Sequence, residues 1–171
     1  MKNTSFKKIV VIITAIIAIN LTANAQVRGD VAVGGYWGIG TGYYYNNGGI
    51  GAKLLYNVTN RIRLAAEIDY WRKIREENSN VSNLNMYVHI LPSNRNKRAF
   101  AYPFIGVGRE RRKHSGFYSN TSYSITPLYG SGIDVKIFPK LTLNCEFRIH
   151  QVQQFIYGGS LNFAGGLMYT F

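Results

Sequence analysis

The residues in this sequence best equipped for chemistry are charged side chains set two apart. Arg61 and Arg63 precede Glu67 and Asp69, Asp134 precedes Lys136, Glu146 precedes Arg148, and Lys53 stands between Ala52 and Leu54. A spacing of two places side chains on one face of an extended chain, and not on one face of a helix. Those five bases and four acids are near balance. Balance suits a closed interior where each ion has a partner, because an unpaired buried charge costs several kcal/mol. It suits a solvated outer surface equally well.

Other constellations are thin. His89, His114 and His150 are far apart in the sequence. Cys145 is the single cysteine, which excludes an internal disulfide and a cysteine-cluster zinc site. The Gly38 to Gly42 run lacks the Lys-Ser/Thr and the following helix that a phosphate-cradling loop needs. His114 beside Ser115, with Glu110 upstream, is the one set that would serve acyl transfer or hydrolysis on a lipid. One His next to one Ser carries little weight. No catalytic residue, cofactor or metal is expected, and His89 and His150 are expected among the inward polar groups. A second basic set comprises Arg72, Lys73, Arg75, Arg109, Arg111, Arg112 and Lys113. Arginine matches phosphate geometry well, so these residues suit an anionic partner. A solvated rim without specific recognition explains them too, and Arg95, Lys97 and Arg98 elsewhere in the chain favour it.

The elements that hold these residues follow from composition and period. The chain has 171 residues, 20 Lys and Arg against 8 Asp and Glu, 18 Gly, 13 Tyr and 9 Phe. It is too aromatic for a disordered chain, and a mean hydropathy of −0.10 excludes a polytopic helical membrane protein. Residues 1–25 have three parts: Lys2, Lys7 and Lys8, an apolar run Ile9 to Ile19, and Ala23-Asn24-Ala25. That is a secretory signal peptide with cleavage signalled by Ala23 and Ala25. The run is shorter than the ~20 residues of a spanning helix. Residues 26–171 form one domain.

Within that domain apolar residues recur at every second position, the period of a two-faced strand. Leu141, Leu143, Cys145, Phe147 and Ile149 alternate with Thr142, Asn144, Glu146, Arg148 and His150. Leu161, Phe163, Gly165, Leu167, Tyr169 and Phe171 form another such face. Eight strands are predicted, over 28–40, 47–58, 61–72, 80–91, 99–111, 122–138, 140–151 and 158–171. Segment 99–111 is partly apolar on both faces, and Ile105 and Val107 are assigned to the apolar one, opposite Gly106 and Gly108. Gly34, Gly38, Gly51, Gly106, Gly132 and Gly166 leave room for large neighbours. Aromatic residues are expected in two girdles. One holds Trp37, Tyr43 to Tyr45, Tyr70 and Trp71. The other holds Phe100, Tyr102, Phe138, Tyr169 and Phe171.

A signal peptide, eight alternating strands and a terminal Leu167-x-Tyr169-x-Phe171 face together resemble the small eight-stranded outer-membrane β-barrels of the OmpX and OmpA transmembrane-domain type. The resemblance covers residues 26–171. It implies an all-β, eight-stranded antiparallel up-and-down transmembrane barrel in the bacterial outer membrane. Leu167, Tyr169 and Phe171 would then be the signature that the barrel-assembly machinery reads. Lys53, Arg61, Arg63, Glu67, Asp69, Asp134, Lys136, Glu146 and Arg148 would form a lumen charge network. Short turns would be periplasmic, and the basic loops extracellular, near outer-membrane lipid and lipopolysaccharide. The implied role is a non-enzymatic monomer with a plugged lumen, whose loops serve envelope integrity, adhesion or host interaction. Nucleic acid is not an expected partner in that compartment. A small porin-like channel, a lipid-modifying barrel enzyme and a soluble lipocalin-like barrel are the alternatives.

Overall fold

A computed structural model of the chain describes residues 28–41, 48–72, 80–92, 98–114, 120–151 and 159–171. The sequence-predicted signal peptide, with Ala23 and Ala25, lies outside these residues, as do Lys73, Arg75, Arg95, Lys97, Ser115 and Tyr43 to Tyr45.

The described residues form β1 (Val31–Thr41), β2 (Gly48–Asn57), β3 (Ile62–Arg72), β4 (Asn80–Ile90), β5 (Ala99–His114), β6 (Asn120–Phe138), β7 (Leu141–Gln151) and β8 (Gly159–Thr170). Each strand pairs antiparallel with the next, and β8 returns to β1, so the barrel is closed. Closure leaves no bare sheet along the wall. The connections β2–β3, β4–β5 and β6–β7 lie at one end with the start of β1 (the turn end). The ends of β1, β3, β5 and β7 lie at the opposite end (the loop end). An eleven-residue strand such as β3 rises roughly 36 Å along its axis, and a tilt near 45° gives a crossing of about 25 Å.

Two prolines lie inside strands, where a missing N–H ordinarily breaks a ladder. Pro103 pairs with β6, but the β4–β5 ladder ends one residue away at Phe104. Pro127 pairs with β5, and the β6–β7 ladder begins one residue later at Leu128. The stagger of the barrel therefore puts each proline where one flank carries no partner. The same stagger lets β5 and β6 run on at the loop end. Arg112, Lys113 and His114, expected in a loop, belong to β5. β6 starts at Asn120, ahead of the predicted 122. The pairing register of these two strands continues to His114↔Asn120, so backbone hydrogen bonding carries the polar stretch as strand.

Polarity is inverted relative to a water-soluble barrel. Trp37, Ile50, Ile68, Met86, Ile105, Val107, Ile125 and Phe163 are among the large apolar residues exposed on the outer face. Lys53, Arg63, Glu67, Asp69, Glu110, Asp134, Glu146 and Arg148 are buried inside. Ile105 and Val107 face outward, with Phe100, Tyr102 and Phe104 inward.

Candidate functional site

The interior is built from neighbouring strands that trade bulk for space. Tyr36 pairs with Gly51, Trp71 with Gly49, Tyr87 with Gly106, Phe104 with Gly130 and Tyr102 with Gly132. A Cβ at Gly51 would enter the Tyr36 ring, and one at Gly132 the Tyr102 ring. Glycine at 49, 51, 130 and 132 lets the facing ring lie against the adjacent strand. The phenols then point into the lumen.

Across that lumen the ions meet. Arg148 on β7 grips Glu67 on β3 with both terminal nitrogens, at 2.7 and 2.8 Å. Its Nε and Nη2 also donate to Glu146 at 3.0 and 2.8 Å. β3 and β7 are four strands apart in a ring of eight, so this contact spans the barrel from wall to opposite wall. Lys53 on β2 reaches Glu146 at 2.6 Å and Glu67 at 3.5 Å. Arg63 pairs with Asp134 at 2.6 Å, and its Nε donates to His89 Nδ1 at 3.1 Å. Neutral donors complete the set. Tyr87 donates to Glu67 at 2.8 Å, and Tyr102 to Glu146 at 2.8 Å. Tyr36 and Asn85 donate to Asp69 at 3.1 and 2.9 Å. Asn144 bridges Asp134 and Tyr102 at 2.7 and 2.6 Å. Bidentate, charge-assisted bonds of this kind are short and directional.

The lumen is not purely polar. Tyr87, Phe104, Tyr102, Phe100, Leu55, Leu128 and Met168 belong to one buried apolar cluster. His89 stacks on Tyr102, with centroids 4.8 Å apart and planes 15° apart. His89 and His150 are both lumenal and buried. Tyr36, Tyr87, Tyr102, Asn85 and Asn144 were not singled out from the sequence as partners of the ions. Their inward parity was the available signal.

Two of the nine charges expected in the lumen are not fully buried. Arg61 is exposed in the turn before β3, where its N–H donates to Thr59 Oγ1 at 3.1 Å, so strand parity does not apply to it. Lys136 is half-buried. The β6–β7 register shifts between Lys136 and Phe138, which cancels the alternation there and leaves Ile137 and Phe138 both exposed. The girdle assignment needs similar correction. Trp71, Phe100 and Tyr102 are buried inside, because their positions fall on the lumenal parity of their strands. Leu167 and Tyr169 are exposed, but Phe171 is buried. Beyond the end of β8 its N–H bonds the Val31 carbonyl. Its ring meets Tyr169 edge-on at 5.3 Å and borders an outer groove with Val33, Ala52 and Leu54.

At the loop end, Arg109, Arg111 and Lys113 are exposed on one face of β5, and Arg109 lies 5.1 Å from the Tyr123 ring. Arg72 and Arg112 lie on strands β3 and β5. Glu110 is buried within the barrel. Of its suggested lipid-hydrolase partners, His114 ends β5 and Ser115 lies outside the described residues. Cys145 faces outward. Among the described residues no cluster of three or more His, Cys, Asp or Glu is arranged to hold a metal ion.

Solved structures share this architecture. The N-terminal β-barrel domain of Pseudomonas aeruginosa OprF matches with a TM-score of 0.65 at 12% identity, covering 85% of this chain and 100% of that one. The fold is that of the small eight-stranded outer-membrane barrels. Neisserial surface protein A matches at 0.64 and 13%, over 83% and 96% of the two chains. Ail, the attachment invasion locus protein of Yersinia pestis, matches at 0.61 and 16%, over 85% and 100%. Ail has also been solved in complex with the heparin analogue sucrose octasulfate. No family model and no curated protein matches the sequence. At these identities the likeness is one of fold.

Proposed function

We propose that the protein is an integral barrel of the bacterial outer membrane, closed along its axis, that acts through its loop end in envelope integrity, adhesion or host contact. The reading includes export with removal of residues 1–25, delivery by the barrel-assembly machinery through the Leu167, Tyr169 and Phe171 strand, and a monomer embedded in lipid beside lipopolysaccharide. The outward apolar belt supports the membrane, since hydrocarbon accepts such side chains and water does not.

The observation that carries the closed lumen is the Arg148–Glu67 bridge between opposite walls, braced by Glu146 and Lys53. An ion crossing the barrel must break it. Planar-bilayer conductance tests this, with folding verified first by the gel-mobility difference between unheated and boiled samples. Folded protein without reproducible current steps is expected. Steady, ion-selective steps would put the small-channel reading ahead.

A second, narrower reading concerns the loop-end contact. Arg109, Arg111 and Lys113 form a cationic row with successive members about 6.8 Å apart. That row suits the phosphates of lipopolysaccharide or the sulfates of a glycan, and Ail, of the same fold, has been crystallised with sucrose octasulfate. Titration with sucrose octasulfate should show binding that an Arg109→Gln/Arg111→Gln/Lys113→Gln variant loses. Equal binding by both proteins would remove the row from this role.

A further inference from the structure

The barrel sorts its charges by sign. Glu67, Asp69, Glu110, Asp134 and Glu146 are all buried inside, and Asp30 is half-buried, so no acidic side chain is exposed among the described residues. The cations divide differently. Lys53, Arg63 and Arg148 neutralise the interior. At the turn end, Arg28, Arg61 and Arg98 are exposed, and Lys136 and Lys140 are half-buried. Among the described residues none of these five forms an ion pair. The nearby acidic side chain among the described residues is Asp30.

The backbone fixes these five around the rim. Gly29, at φ 94°, bonds the Asn57 carbonyl and leaves Arg28 at the edge. The β2–β3 turn carries Arg61. The Arg98 carbonyl accepts the Lys136 N–H at 2.8 Å, and the Lys140 carbonyl accepts Thr170 N–H at 2.8 Å. Just inside this circle lies an apolar band with Tyr56, Ile62, Ile90, Phe138 and Tyr169 exposed. Lys140 Nζ sits 6.0 Å from the Tyr169 ring centroid. Cations bordering an aromatic and aliphatic belt match a lipid boundary, where phosphates meet acyl chains. A protein partner of acidic character would not require the adjoining apolar belt.

We propose that the turn-end rim of Arg28, Arg61, Arg98, Lys136 and Lys140 binds the phosphate headgroups of anionic phospholipids and enriches them around the barrel. This rests on the membrane reading above. The probe is spin-labelled phosphatidylglycerol or spin-labelled phosphatidylcholine, each at trace level in phosphatidylcholine vesicles holding the full chain. The readout is the fraction of label immobilised at the protein surface. Phosphatidylglycerol should be favoured by about threefold at low salt, and less at high salt. An Arg28→Gln/Arg61→Gln/Arg98→Gln variant should lose more than half of that preference, and the Arg→Lys triple should keep it. Where the Gln triple fails to refold, Arg61→Gln and Arg98→Gln singly must each lower it. No preference in the unmodified protein, or one unchanged by these substitutions, overturns the rim site. No immobilised lipid with either label instead overturns the membrane reading, and the rim site with it.

Discussion

Replacing Arg148 by Met should be the most damaging single change in the barrel. The cluster of Lys53, Arg148, Glu67 and Glu146 is neutral, with two charges of each sign. Arg148 supplies four contacts of 3.0 Å or less to the two carboxylates. Removing it leaves Lys53 alone against two buried anions. Leaving a buried charge uncompensated costs about 3–5 kcal/mol. Met keeps the aliphatic stem and loses the guanidinium, which lies 4.8 Å from the Tyr36 ring and 5.7 Å from that of Tyr87. The loss should therefore be mainly electrostatic. That claim has its own check. Adding Glu67→Gln restores neutrality, leaving Lys53 and Glu146 as a pair at 2.6 Å. The double variant should be more stable than Arg148→Met alone by about 1–3 kcal/mol. Reversible urea unfolding in vesicles, followed by the gel-mobility shift, gives both numbers. A cost below about 1 kcal/mol for Arg148→Met, or a double variant that simply adds the two single losses, would refute the neutral-cluster account.

Two further predictions probe the wall. Ile68 and Phe138 are equally exposed, at 65% and 64%, but Ile68 lies within β3 and Phe138 at the turn-end rim. In a bilayer, Ile68→Arg should cost roughly 2–4 kcal/mol and Phe138→Arg about 0–1; equal costs in vesicle unfolding would contradict a membrane-spanning belt. Gly132→Ala drives a Cβ into the Tyr102 ring, whereas a Cβ at Gly165 meets nothing within 4 Å. The first should cost about 1–3 kcal/mol and the second close to none, measured by the same unfolding, and the reverse order would refute the ring-on-glycine packing.

The sequence by itself determined the strands and the faces. Period two fixes which side chains share a surface whatever the neighbours do, so Glu67 falls with Arg63 and Asp69, and Glu146 with Arg148, from alternation alone. Parity fails wherever the chain leaves the ladder, which is why Arg61 in its turn is exposed and why Ile137 and Phe138, at the register shift after Lys136, are exposed side by side. Aromatic content near a strand end likewise cannot distinguish a girdle from a core. Trp71 and Tyr102 point inward because they fall on the lumenal parity of their strands, and each finds room against a glycine on an adjacent strand. Closure, with its stagger, decided the rest. Only the ring of eight sets β7 opposite β3, and only that juxtaposition lets Arg148 find Glu67 across 81 residues of sequence. Alternation is a local property of the backbone, whereas partners across a lumen depend on how many strands close it and in what register.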